Sequence, residues 1–220
     1  DARVAVVSQA NVAVDEALKK LKARYSECDI VRHVSAHAVN SVMDSSKDLT
    51  QYARREDFIR QLTAQPVLPE WAAMIREQFR HVCQDDRYLT HRVLKALVHS
   101  SAVYGCTLSI LGRLSLGAPL FDIVVVDEAA KASLPECIIA ALSAKRLVLV
   151  GDHHQLLPFL DERILERAGP LRTDQQAVQE LWNNSLFKRM WNQAPEQVKV
   201  LLTTQYRSRS GIREADSAQF

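Results

Sequence analysis

Residues 121–158, FDIVVVDEAAKASLPECIIAALSAKRLVLVGDHHQLLP, constrain the fold of this chain more than any other stretch. Two short apolar runs, Ile123 to Val126 and Leu147 to Val150, are rich in β-branched residues and bounded by polar or turn residues. That pattern predicts strands buried on both faces. Between them Ser133 and Glu136 have the spacing of a capping box, and Pro135 is tolerated in a first helical turn. Strand, helix and strand within this span make a βαβ unit, whose strands run parallel. Ligands of such sheets bind at the carboxyl ends of the strands. The first run delivers Asp127 and Glu128 to that end, and the second delivers Gly151, Asp152 and then Gln155.

Adjacent carboxylates after a buried strand suit nucleotide hydrolysis. Asp127 is placed to hold Mg²⁺ on phosphates, through water, while Glu128 orients or deprotonates the attacking water. The same pair also reads as an ordinary solvated turn. The second polar cluster, GD-x-x-Q on the following strand, favours the site over the turn.

In order along the chain, DEAA at 127–130, GDHHQLLP at 151–158 and TTQYRS at 203–208 resemble motifs II, III and IV of superfamily 1 helicases, closest to the Upf-like branch. SQANVAVDEAL at 8–18 resembles motif Ia, and VYGCT at 103–107 resembles motif Ic. The resemblance implies an α/β fold, a RecA-like parallel sheet flanked by helices with an inserted helical subdomain. It divides the chain into an incomplete motor domain at 1–34 and 101–211, an insertion at 35–100, and at 212–220 the start of a linker to a second motor domain. It implies ATP and Mg²⁺ as cofactors and single-stranded RNA or DNA as partner. Gln155 would bond the γ-phosphate or attacking water, Tyr206 would pack on adenine, and Arg207 would reach the γ-phosphate with a planar, permanent charge. Ser8, Asn11 and Thr107 would contact the nucleic-acid backbone. From the residues alone, Ser8 and Asn11 also read as caps of the helix after Val4 to Val7, Thr107 as a helix or turn cap, and Arg207 as a surface ion pair.

The phosphate-binding loop G-x-x-x-x-G-K-[ST] does not occur in these 220 residues. In the family it precedes motif Ia, so the chain is expected to begin just after it, an expectation supported by the missing initiator Met. The strand order implied by the resemblance places the loop strand beside the motif III strand. Without it, Leu147 to Val150 is expected to be an apolar edge and Lys199 to Leu202 to be separated from the sheet. Two other readings stay open: a nucleic-acid-binding or assembly module that has lost hydrolysis, and a P-loop ATPase that is not a helicase.

The rest of the sequence narrows the class further. The net charge of +2, from 28 basic and 26 acidic residues, gives no global field for nucleic acid, so any such contact is local. Cys28, Cys83, Cys106 and Cys137 lack C-x-x-C spacing, which points to neither a zinc site nor a disulfide framework and fits an intracellular, cytoplasmic or nuclear setting. No run is long and apolar enough to span a bilayer, so no membrane partner is expected. The adjacent His153 and His154 diverge in direction and have no third ligand nearby in sequence, which argues against a metal site there. Asp29 to Val34, Ala102 to Cys106 and Val198 to Leu202 are predicted strands. Val14, Leu18 and Leu21 mark one helix face, and Ser185 starts a helix carrying Leu186, Phe187, Met190 and Trp191. From Lys47 to Ser100 the pattern is helical, and its basic residues alternate with acidic ones as on a solvated surface.

Overall fold

The computed structural model describes residues 2–54, 57, 101–114, 119–152, 154–155 and 185–204. Five strands, β1 (Val4–Ser8), β2 (Ile30–Arg32), β3 (Val103–Thr107), β4 (Phe121–Val126) and β5 (Ala144–Leu149), form one parallel sheet in the order β2-β3-β1-β4-β5. This is the RecA-like α/β arrangement, with helices on the sheet faces.

Alternation along each strand sends apolar side chains to both faces. On one face, helix α1 (Asn11–Arg24) lays Val14 and Leu18 over Val6, Ile30 and Val103. The approach is close: a Cβ on Gly105 of β3 would lie 2.5 Å from Leu18 Cδ1, so only glycine leaves room for that helix. The opposite face carries Ala5, Val7, Val31, Tyr104, Cys106, Phe121, Val124 and Val126. It is covered by the short α2 (Leu108–Leu111), by α3 (Leu134–Leu142), and by Phe187 of α4 (Leu186–Gln193). In α3 the Ser133 N–H and Oγ–H donate to Glu136 Oε2 at 2.9 and 2.8 Å, and the predicted capping box is formed.

Three sequence expectations are corrected. Asn11 does not cap α1. Ala10 occupies the N-cap, and the Asn11 side-chain carbonyl instead accepts from Arg32 Nη2 at 2.8 Å. The run Leu147 to Val150 is not buried on both faces but forms the apolar edge expected from the strand order: among the described residues β5 pairs only with β4, and Val148 is 44% exposed. Val198 to Leu202 is not a strand. A single 3₁₀ turn, Glu196–Val198, runs into an extended segment in which Val200 and Leu202 are 77% and 80% exposed. A strand needs a neighbour to take its backbone hydrogen bonds, and none of the described strands adjoins this one. Of the expected insertion at 35–100, residues 35–54 are described, with two 3₁₀ turns, Ala36–Ser41 and Asp44–Leu49, and helical residues 51–54. The remainder up to residue 100 lies outside the described residues except for Asp57.

Candidate nucleotide and nucleic-acid site

Parallel register brings most of the candidate residues to one end of the sheet. Ser8 and Thr107 are register partners at the carboxyl ends of β1 and β3. Beside them the Asp127 N–H donates to Val7 O at 2.8 Å, extending the β1–β4 ladder by one residue. On the other side of β4, Val150 N–H donates to Val126 O at 2.9 Å, and Ala129 N–H donates back to Val150 O at 2.8 Å. The turn after β4 is thus laced to the end of β5. Gly151 permits this lacing, because a Cβ there would stand 3.0 and 3.1 Å from the backbone nitrogens of Ala130 and Ala129.

Glu128 holds φ 55° and ψ 39°, the one non-glycine residue with positive φ among the described residues. Left-handed backbone costs a glutamate about 1–2 kcal/mol. It is held there by a 3₁₀ turn over Ala129–Lys131, by the Asp127 carboxylate accepting the Glu128 N–H at 3.1 Å, and by the Lys131 ammonium 3.1 Å from Glu128 Oε2. Ala129, Ala130 and Ala132 are buried, which fixes the turn from beneath. Asp127 and Glu128 remain half-exposed, with carboxylates that solvent or a ligand can reach. Asp127 Oδ2 accepts no hydrogen bond among the described residues. Gln155 is exposed too, its amide donating to Asp152 Oδ2 at 3.4 Å, while Asp152 Oδ1 accepts the His154 N–H at 2.9 Å.

The groups assigned to nucleic acid are less open. Ser8 is 1% exposed, and its hydroxyl has no partner among the described residues, so reaching a phosphate requires the β1–α1 turn to open. Asn11 is half-buried with its carbonyl committed to Arg32, which leaves its amide N–H groups as donors. Thr107 occupies the N-cap of α2 without a side-chain capping bond. Tyr206 and Arg207 lie outside the described residues, as do Cys83 and His153.

Sequence reasoning missed a buried polar network beneath this edge. Arg32 and Asp15 are both fully buried and meet at 2.6 Å. Arg32 also donates to His33 O at 2.8 Å, and Asp15 Oδ2 accepts the Met43 N–H at 3.1 Å. A signal existed: an arginine ending the apolar run Asp29-Ile-Val-Arg32 and an aspartate on the apolar side of α1 each demand a partner when buried. Next to Arg32, the His33 ring lies 2.5 Å from the Tyr104 hydroxyl. Burial, reinforced by the charges of Arg32 and Arg113, holds His33 down at about 4. Burial also pushes the Cys106 thiol up to about 12, which keeps it protonated and removes it as a nucleophile. Among the described residues no cluster of three His, Cys, Asp or Glu side chains forms a metal cage, and no helix is long and apolar enough to cross a membrane.

The family described as "AAA domain" matches residues 72–163. "DNA polymerase alpha-associated DNA helicase A" of Schizosaccharomyces pombe is 26% identical over 99% of this chain and 32% of its own length. "ATP-dependent helicase upf1" of the same organism is 29% identical over 85% of this chain and 19% of its own. "DNA replication ATP-dependent helicase/nuclease DNA2" of Bos taurus is 29% identical over 70% of this chain and 13% of its own. The chain therefore spans at most about a third of the length of these curated relatives.

Proposed function

We propose that this chain, part of a superfamily 1 helicase motor domain of the Upf-like branch, supplies the hydrolytic carboxylates of an ATPase that moves on single-stranded nucleic acid. One observation carries the reading: Asp127–Glu128 and Gly151–Gln155 leave adjacent parallel strands at the same end, joined through both backbone groups of Val150. Solvated turn residues have no need of a left-handed glutamate buttressed from three sides or of a glycine that lets two strand ends touch.

The donor set fits Mg²⁺, which keeps most of its waters and asks a protein for one or two carboxylates. Asp127, half-exposed and with one oxygen uncommitted, would hold it directly or through water. When bound, the ion would neutralise charge on the phosphates. Glu128 orients and deprotonates the attacking water, and its half-exposed carboxylate is open to that water. Gln155 bonds the γ-phosphate or that water, exchanging its present contact with Asp152. Tyr206 packs on adenine, and Arg207 stabilises the transferring phosphoryl group. The amide of Asn11, the hydroxyl of Thr107 and the turn at Ser8 meet the nucleic-acid backbone.

The test is ATP turnover by the full-length protein, with and without single-stranded DNA or RNA oligonucleotides. Hydrolysis stimulated by at least one of them is expected. Oligonucleotide binding with no hydrolysis would replace this function by that of a binding module.

A further inference from the structure

At the tip of β1 an exposed glutamine reaches across to the helix behind the catalytic turn. Gln9 Nε2 donates to Glu136 Oε2 at 2.9 Å, joining residues 127 positions apart. The same carboxylate oxygen already accepts the N–H and hydroxyl of Ser133. One oxygen therefore collects three donors, two from the start of α3 and one from the β1–α1 turn.

The two ends of this bridge belong to different halves of the site. Gln9 stands between Ser8 and Asn11, on the turn assigned to nucleic acid. Glu136 closes the first turn of α3, whose N-cap, Ser133, follows the turn Asp127–Lys131 after the single buried residue Ala132. Ala129 and Ala130 are also buried, in the same core cluster as Cys137 and Ala140 of α3, so the turn and α3 pack as neighbours. Lys131 completes the path, since it both lies in the turn and pairs with Glu128.

We infer that Gln9 is a positioning residue that couples nucleic-acid occupancy of the β1–α1 turn to the placement of Glu128, through its hydrogen bond to Glu136. Opening the turn at Ser8 to admit a phosphate moves Gln9. A carboxylate holding three donors transmits that movement to α3 and the catalytic turn. The inference rests on the proposed ATPase function. It concerns the communication between its two ligands, not the chemistry at either.

The test is made in the full-length protein with oligo-dT and oligo-U as probes. Gln9→Ala is expected to lower oligonucleotide-stimulated turnover about threefold to tenfold, the range set by one lost hydrogen bond. Unstimulated turnover and oligonucleotide affinity without nucleotide are expected to stay within about twofold, since the bridge contributes to neither chemistry nor contact. Glu136→Gln keeps one side-chain oxygen that can accept from Gln9 and from both Ser133 donors, and a capping box accepts glutamine equally, so it should preserve stimulation. Unchanged stimulation in Gln9→Ala overturns the inference and leaves the ATPase reading intact. So does a parallel loss of affinity and stimulation, which would make Gln9 a plain contact. Absence of stimulated hydrolysis in the unaltered protein with either probe overturns both.

Discussion

The β2 edge of the sheet is closed by buried polar groups, whereas the β5 edge is left half exposed and, in its second half, apolar. Beyond β2 the Gln51 side chain accepts the Val34 N–H at 3.0 Å and donates to Val34 O at 2.5 Å, taking the place of a further strand. Thr50 bridges Arg32, and the Arg32–Asp15 pair locks α1 and the 3₁₀ turns onto the same edge. Beyond β5 no described segment offers such groups. Lys145 and Arg146 blunt its first half, but Val148 and Val150 do not blunt the second. The candidate nucleotide residues sit at the open side, on β4 and β5, and the buried network sits beneath the candidate nucleic-acid residues. One half of the sheet is anchored by its own side chains, and the other keeps the candidate carboxylates Asp127 and Glu128 accessible.

Breaking the closed edge should have the largest effect. Arg32→Ala strands a fully buried carboxylate at Asp15 and is expected to cost about 3–5 kcal/mol in urea unfolding. Replacing both partners by apolar residues should cost much less, because no charge is left unpaired. A loss below about 1 kcal/mol for the single variant would show that the pair does not hold this edge.

The same edge predicts an acid sensitivity. Burial holds His33 near 4, below its ordinary value of about 6.5 in the unfolded chain. Between these values the unfolded state binds the extra proton, so stability falls as pH drops through that window and is fully present above it. The expected loss is about 2–3 kcal/mol between pH 7 and pH 4, and His33→Gln should abolish it. A midpoint for urea unfolding that moves equally with pH in both proteins would assign the sensitivity elsewhere.

The open edge predicts a small change in stability and a visible change in association. Val148→Lys alters a half-exposed side chain and should shift unfolding by less than about 0.5 kcal/mol. The charge should nevertheless reduce concentration-dependent self-association of the 220-residue chain on size exclusion, by spoiling the edge as a template. Equal elution profiles at high concentration would mean that the edge is not adhesive.

The parts of the fold written in local chemistry were legible beforehand. The βαβ unit followed from two β-branched runs and from Ser133 with Glu136, because strand and capping signals act over a few residues. What depended on distant partners was not. Asn11 carries the composition of a cap, yet Arg32, 21 residues away, takes its carbonyl. Val198 to Leu202 has strand composition but no described strand beside it, and β propensity without pairing does not make a strand. The placement of the candidates Asp127, Glu128 and Gln155 was legible, since it follows from the ends of parallel strands. The Gln9–Glu136 bridge was invisible, since a glutamine and a glutamate 127 residues apart have no signature until the sheet brings them together.

The central claim, that the turn after β4 activates water for ATP hydrolysis, is tested most directly by Glu128→Gln in the full-length protein. Substitution of one oxygen by an amide keeps size and removes the base. Mg-ATP binding measured by calorimetry should be retained, while single-turnover hydrolysis should fall by about 10² or more. Hydrolysis within a few-fold of the unaltered protein would contradict the claim.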